Sequence, residues 1–384
     1  MTYSIVIATL VAMLASFVVH PYLVRIAHEK NIVDNPDARK LQKQPVPVLG
    51  GAAVFLGIIV GIGVTSLHTE CSSLMVIITA MIIMLYVGMI DDILGLSSGF
   101  RFILEIILVV GLIVYSGLSI NNLHGLWGVY ELSMWLAIPL TIFAAVGIIN
   151  AINLIDGVDG LSSGYCILAC GTFCAFFHIV GQPDMAILAA TGVGSIIPFF
   201  LHNTLGKTSK MFIGDGGTLT MGITLSTFVV YALTGGSYSY NVDSSFSIVA
   251  FTLAVLSIPV FDTVRVMLSR IMRKTSPFHP DKTHLHHLFI DMRFSHVGTS
   301  IFIILLNATI IASQLIAWRL GASIELQLYI VIALGLLFTF GIYLSLRKLP
   351  DTNIIKRIFL RIGRFMRFEH KGKFLLLQKF IDKI

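Results

Sequence analysis

Apolar residues fall in long, nearly unbroken runs along this chain, and charged residues gather in the gaps between them. A helix needs about 20 apolar residues to cross a hydrocarbon core. Runs of roughly that length occupy 3–24, 48–67, 72–90, 102–118, 132–150, 161–180, 184–201, 216–234, 246–266, 298–318 and 326–346. The pattern predicts an all-α, polytopic transmembrane helix bundle of eleven spans, or ten. Residues 1–346 form the membrane domain, with loops at 91–101, 150–160, 202–216 and 267–297. From Arg347 the pattern changes, with Ile354, Ile355, Phe359 and Leu360 set among Lys356, Arg357, Arg361 and Arg364. That mixture predicts a basic amphipathic tail over 347–384, either lying on anionic lipid or enforcing topology as a solvated segment.

The tail belongs to a wider charge asymmetry. Connections after odd-numbered spans, together with the tail, carry all of the 26 Lys and Arg residues except Arg319. Cytoplasmic loops hold the excess of Lys and Arg. This face is therefore assigned to the cytoplasm, with the N-terminus outside and the C-terminus inside. Composition agrees: of 384 residues 56% are hydrophobic and 12% charged, with mean hydropathy +0.90. A soluble domain carries about a quarter charged residues, so too few are present to solvate a whole surface. No nucleic-acid partner is expected. The first run reads as a span rather than a cleavable signal, since it ends in His20 and Pro21 without a small-residue cleavage site. Cys166, Cys170 and Cys174 recur on one apolar helix face and read as packing residues.

Four polar segments interrupt the pattern, all on the positively charged face: Gly88-Met89-Ile90-Asp91-Asp92, Asn150 to Gly160, Gly214-Asp215-Gly216-Gly217-Thr218, and Pro277 to His287. Ionisable groups at helix boundaries point to chemistry on a water-soluble substrate at the interface. Asp91 and Asp92 are adjacent; two like charges about 4 Å apart cost on the order of 4 kcal/mol at an effective dielectric of 20. A nearby cation relieves that cost, or one pKa rises. Asn153, Asp156 and Asp159 share a face if a helix continues through them, while Gly157 and Gly160 predict that it loosens and lets backbone approach a ligand. Amide plus carboxylate suits reading a base or ribose edge and holding a hydrated divalent ion. Around Asp215, glycines let backbone N–H groups face an anion at a helix N-terminus, and the carboxylate suits Mg2+. His284, His286 and His287, near Lys282, Arg270 and Arg273, read as a phosphate-binding patch, with structural zinc as the rival reading. Asp262 reads as a partner of Arg265, and Glu105 as a partner of Arg101.

Together these segments resemble the polyprenyl-phosphate N-acetylhexosamine-1-phosphate transferase family. The resemblance runs from Asp34-Asn35-Pro36 and Pro47-Val48-Leu49-Gly50-Gly51 to His287, about two-thirds of the chain. Thr283-His284-Leu285-His286-His287 looks like the branch that uses UDP-GlcNAc or a related sugar to start O-antigen, enterobacterial common antigen or teichoic acid. The resemblance implies transfer of N-acetylhexosamine-1-phosphate, GlcNAc-1-phosphate first, from a UDP-sugar to undecaprenyl phosphate, releasing UMP. It implies a Mg2+ cofactor, with Mn2+ able to substitute, at Asp215 and Asp156. Asp91, Asp92 and Asp215 are the implied catalytic residues, and Asn153, Asp156, Asp159, His284, His286 and His287 the substrate-binding ones. The implied partners are undecaprenyl phosphate, a UDP-N-acetylhexosamine, the lipid bilayer of the bacterial inner membrane, and a second copy in a homodimer.

In such a reaction the lipid phosphate is mostly dianionic at pH 7, because its second pKa lies near 6. A base has little to do, and bringing negative charges together is the larger obstacle. The rival class is a transporter or flippase of lipid-linked sugars. Transporters place polar groups at broken helices near the membrane midplane, and no broken helix is predicted here.

Overall fold

The computed structural model describes residues 2–36, 44–66, 74–235, 243–277, 281–368 and 372–383. Arg39, Lys40, Lys43 and Lys371 of the charge asymmetry, and 278–280 of the fourth polar segment, lie outside the described residues.

Helix occupies every one of the eleven apolar runs. In chain order the helices are α1 Thr2–Glu29, α2 Gly50–Thr65, α3 Met75–Leu94, α4 Ser98–Ser116, α5 Met134–Leu154, α6 Leu161–Ile179, α7 Pro183–Leu205, α8 Gly214–Ala232, α9 Ile248–Val255, α10 Ser257–Met272, α11 Leu285–Asp291, α12 His296–Arg319, α13 Ile324–Leu336, α14 Ile342–Lys348, α15 Ile354–Phe365 and α16 Gly372–Ile381. A π-helical stretch, Leu337–Gly341, joins α13 to α14. Among the described residues eight helical segments are long and apolar enough to cross a membrane, and nine if the bent α9–α10 pair is one span. This is a multi-pass, all-α membrane protein.

Helix α8 is the hub, buried from Gly216 to Ala232 and packed against α2, α3 and α5. Its hydroxyls are satisfied within the helix. Thr220 donates to Gly216 O at 2.6 Å, Thr224 to Thr220 O at 2.7 Å and Thr227 to Ile223 O at 2.8 Å. An unbonded hydroxyl in apolar surroundings costs several kcal/mol, on the order of 2–7, and bonding one turn back removes that cost.

The ninth run differs from expectation. It is broken at Leu256, and α9 and α10 meet at 72°. The freed backbone groups find side chains: Ile258 N donates to Asn307 Oδ1 at 3.0 Å, Asn307 Nδ2 donates to Val255 O at 3.0 Å, and the Tyr165 hydroxyl donates to Val255 O. Non-helical backbone at membrane depth is tolerated only when protein satisfies it in this way.

The two ends of the bundle are unlike. One end carries a short antiparallel hairpin, β3 Asn122–Leu126 with β4 Val129–Glu131, and the isolated Arg319, whose guanidinium lies 4.6 Å from the Trp318 ring centre. The other end carries the two-residue pair β1 Val33–Asp34 and β2 Val46–Pro47, α11 and the tail. There Phe212 N donates to Pro47 O at 2.7 Å, and Gly50 N and Gly51 N donate to Phe212 O and Ile213 O. These bonds knit the start of α8 to the start of α2. The tail folds as two helices, and α15 sets Phe359 against Phe289 and Phe302 while Arg357, Arg361 and Arg364 stay exposed.

Candidate active site

A cavity of about 540 Å³ opens at the second end. Of the nine residues singled out in sequence, Asp91, Asp92, Asn153, Asp156, Asp159, Asp215 and His287 line it. Their positions follow from helix ends: Asp91 and Asp92 on the last turn of α3, Asn153 on the last turn of α5, and Asp215 on the first turn of α8. Helix α5 stops at Leu154, so Asp156 and Asp159 sit in a turn before α6, as the glycines imply.

Close helix approach makes the carboxylate cluster. A Cβ on Gly88 would overlap the backbone of Asp215 and Gly216, so only glycine lets α3 come this near to α8. Asp92 then reaches the α8 N-terminus, where Asp215 N donates to Oδ1 at 2.9 Å and Gly216 N to Oδ2 at 3.2 Å. The amides expected to face an anionic substrate are thus held by Asp92, which caps α8 and meets its positive dipole end. Asp91 accepts from Leu96 N at 2.7 Å and from Arg101 Nη1 at 2.8 Å. The same Nη1 donates to Asp215 Oδ2 at 3.3 Å. Asn153 Nδ2 donates to Asp215 Oδ1 at 2.7 Å and to Thr218 Oγ1 at 2.8 Å.

On the adjoining wall the Ser162 hydroxyl donates to Asp156. Asp156 is exposed to the cavity, with protein packed around the cavity walls. Desolvation by that protein, with Asp215 and Asp159 nearby, pushes its carboxyl up to about 7 against the opposing Ser162 bond. Asp159 Oδ2 binds Lys210 Nζ at 2.6 Å and His296 Nδ1 at 3.1 Å. Burial opposes ionisation there, but the His296 and Lys210 contacts win and hold the Asp159 carboxyl below its ordinary value.

The histidines form a column. His284 and His286 rings stack with centroids 5.7 Å apart, and His286 lies 4.4 Å from His287. Only His287 reaches the cavity. His286 is buried against Gly157, where a Cβ would overlap its ring. His284 turns away, its Nδ1 paired with Asp262 Oδ2 at 3.0 Å, and Leu285 N donates to the same oxygen at 3.2 Å. Asp262 also takes Arg265 Nη2 at 2.6 Å, as the sequence predicts. Desolvation first, and then the neighbouring imidazoles, drive His286 well below the usual range; His287 is lowered in the same way. His286 and His287 are therefore neutral hydrogen-bonding groups at pH 7, not cations. Arg270 and Arg273 are likewise engaged, both on Asp281 at 2.8 and 2.9 Å, so they do not form the phosphate patch read from the sequence.

Three residues were missed as site residues. Arg101 was read only as the partner of Glu105, which it approaches at 3.8 Å; a lone arginine opening an apolar helix just after an Asp-Asp pair was the available signal. Lys210 counted only toward topology. His296 carries no local signal, because the contact joining it to Asp159 spans 137 positions.

Residues 74–233 match the family model described as glycosyl transferase family 4. The chain is also 32% identical over 332 residues to the probable undecaprenyl-phosphate N-acetylglucosaminyl 1-phosphate transferase of Bacillus subtilis strain 168, covering 86% of this chain and 89% of that protein. The chain belongs to glycosyl transferase family 4. Undecaprenyl-phosphate alpha-N-acetylglucosaminyl 1-phosphate transferases are similar at 27% identity in Yersinia pestis, over 91% of this chain and 93% of that protein, and at 28% in Escherichia coli strain K12, over 88% and 90%. The segment matching family 4 holds Asp91, Asp92, Arg101, Asn153, Asp156, Asp159, Lys210 and Asp215. The histidine column lies beyond it, within the reach of the longer pairwise similarities.

Proposed function

We propose that this family 4 chain transfers GlcNAc-1-phosphate from UDP-GlcNAc to undecaprenyl phosphate, releasing UMP and starting a lipid-linked cell-surface glycan. The observation that carries the reading is one cavity at one end of an apolar bundle, lined by Asp91, Asp92, Asp156, Asp159 and Asp215 from three separate helix junctions. The names of the relatives give the same acceptor and sugar. The cavity end also holds Arg101, Lys210, Arg265 and the tail, which supports a cytoplasmic site in the bacterial inner membrane. Eleven crossings with the N-terminus outside complete this topology.

A divalent cation fits the donor set. The lining carboxylates greatly outnumber the lining cations, and Asp91 and Asp215 share a single guanidinium nitrogen. Among the described residues no three His, Cys, Asp or Glu side chains form a ready cage. Mg2+ suits that arrangement, since it takes one or two carboxylates and completes its shell with water and substrate phosphates. Asp215 and Asp156 would hold it, and when bound it neutralises phosphate charge and polarises the phosphoryl oxygens.

The chain's own residues do the rest. Asn153 and Arg101 fix the Asp215 carboxylate from two sides. Asp92 holds the α8 amides and Asp91 holds Leu96 N and Arg101, and the two carboxyls together form the cavity wall beside the acceptor. Lys210 and the neutral His287 offer donors to the diphosphate, already held in place on the cavity wall before substrate arrives. Purified protein given UDP-GlcNAc, undecaprenyl phosphate and Mg2+ should release UMP in step with lipid-linked product. Absence of both products from active-site-intact protein in a bilayer overturns the reading. Flipping of lipid-linked sugar across vesicles without UMP release would favour the transporter instead.

A further inference from the structure

The loop between α7 and α8 is tied down by the far end of the chain. Asp382, one residue past α16, turns a single carboxylate oxygen onto it. The backbone N–H groups of Lys207 at 2.8 Å, Thr208 at 3.0 Å and Ser209 at 3.2 Å all donate to Oδ1, as does the Ser209 hydroxyl at 3.1 Å. Three successive amides converging on an anion form a nest, and each bond is charge-assisted. Helix α16 itself disfavours an acid here, because a helix C-terminus carries partial negative charge. The contact with the loop, rather than the helix, accounts for the residue.

What the loop carries makes the tie functional. Ser209 is also gripped from the membrane domain, by His202 Nδ1 on its hydroxyl and His20 Nε2 on its carbonyl, both at 2.9 Å. The next residue is Lys210, whose ammonium enters the cavity and meets Asp159 at 2.6 Å. Among the described lining residues Lys210 is the sole lysine or arginine. Asp382 therefore sits one residue from the positive charge that an anionic substrate meets.

We propose that Asp382 is a positioning residue: by filling the 207–209 nest it sets Lys210 beside Asp159 and keeps that charge aimed into the cavity. This rests on the reading of the cavity as the catalytic site. Lys210 is in place before any reaction, so loosening it weakens binding of ground and transition states alike. That raises KM and leaves kcat unchanged.

The test uses the full chain in lipid nanodiscs. Asp382→Ala should raise KM for UDP-GlcNAc roughly tenfold, the worth of hydrogen bonds to a charged group, with kcat held. Asp382→Glu should restore most of the loss. In a Lys210→Ala background Asp382→Ala should add nothing, since the route is already cut. Independently of turnover, hydrogen exchange at the amides of 207–209 should quicken in Asp382→Ala. Unchanged exchange, unchanged KM, or a full additive loss in the Lys210→Ala background each overturns the proposal. Faster exchange in the variant, with no UMP release even from wild type, supports the tie and counts against the transferase reading instead.

Discussion

On the α3–α8 wall of the cavity, Asp91, Asp92 and Asp215 stand at helix ends with one guanidinium among them, open to the space where substrate enters. On the α11 wall His284 and His286 stack and His287 tilts against His286; two of the three rings are buried, and the Asp262–Arg265 pair that holds His284 lies on the side away from the cavity. The first wall sets three carboxylates around one guanidinium, with Arg101 at 2.8 Å from Asp91 and 3.3 Å from Asp215. The second is closely packed, and burial holds His286 and His287 below the ordinary imidazole value. A site that joins two phosphates needs both kinds of surface. Charge must be offered where a cation and the transferring group sit, while donors that do not depend on protonation hold the remainder in register. The contrast predicts that changes on the charged wall act on the rate and changes on the imidazole wall act through geometry.

The strongest way to break that contrast is Asp215→Asn. The amide keeps the shape and still accepts from Asn153 while removing the charge. Activity, read as UMP release, should fall by at least about a thousandfold, the scale of removing a central electrostatic element. The thermal midpoint should barely move. A variant retaining a tenth of the rate takes the charged wall out of the rate-setting role.

Arg101→Gln sharpens the same point with an effect of opposite sign on metal. Losing the shared guanidinium should cost roughly a hundredfold in rate. It also leaves Asp91 and Asp215 less compensated, so half-saturation by Mg2+ should move to lower concentration. If the rate falls and the Mg2+ requirement rises, Arg101 supports the ion site rather than competing with it.

Arg101 also marks what the sequence could show. The helices were legible because lipid leaves few alternatives: a long apolar run has to become a helix that satisfies its own backbone. The polar segments were legible as candidates because carboxylates at the ends of such runs need a reason. The broken ninth run was not read, although Pro259 stands in the first turn of α10, where proline is tolerated. Proline alone is a weak guide here, since Pro21, Pro139 and Pro198 lie inside helices that continue. The break depends on Asn307, which is 49 residues from the amide it accepts. The same holds for the histidines. Their spacing identifies a cluster, but which ring meets the cavity depends on Asp262 capping α11 from another helix. Arg101 looked like a local partner of Glu105, and its second role requires knowing that α8 begins beside it.

A smaller effect should follow from Gly157→Ala. The added methyl overlaps the His286 ring and has to push the column away from the Asp156 turn, without touching any charge. A displacement of this kind should cost about tenfold in kcat/KM and leave the Mg2+ response unchanged. A shift in Mg2+ dependence instead would show that the turn, not the column, had moved.

The smallest effect is one of sign, and it compares the walls in stability rather than rate. His286 is held below the ordinary imidazole value by burial and by His287 and His284, with Asp262 opposing and His296 adding to the shift. Below about pH 6.5 the unfolded chain takes up a proton that the folded ring refuses, so this residue makes stability fall as pH falls. Asp156 works the other way. Its carboxyl, raised to about 7, binds a proton in the folded state that the unfolded chain leaves free until much lower pH, so it makes stability rise as pH falls through 7. Thermal unfolding of chelator-treated protein between about pH 7.5 and 5.5, spanning both transitions, separates the two. Thiol-dye labelling of the buried Cys166 and Cys170 reads the transition. His286→Gln should lose stability less steeply on acidification than wild type, by at most about 1.4 kcal/mol per pH unit, the slope of a single proton; Asp156→Asn should lose it more steeply but by a smaller amount, because solvent in the cavity screens that exposed carboxyl. Curves parallel to wild type for both variants would mean that neither wall holds its groups away from their ordinary protonation.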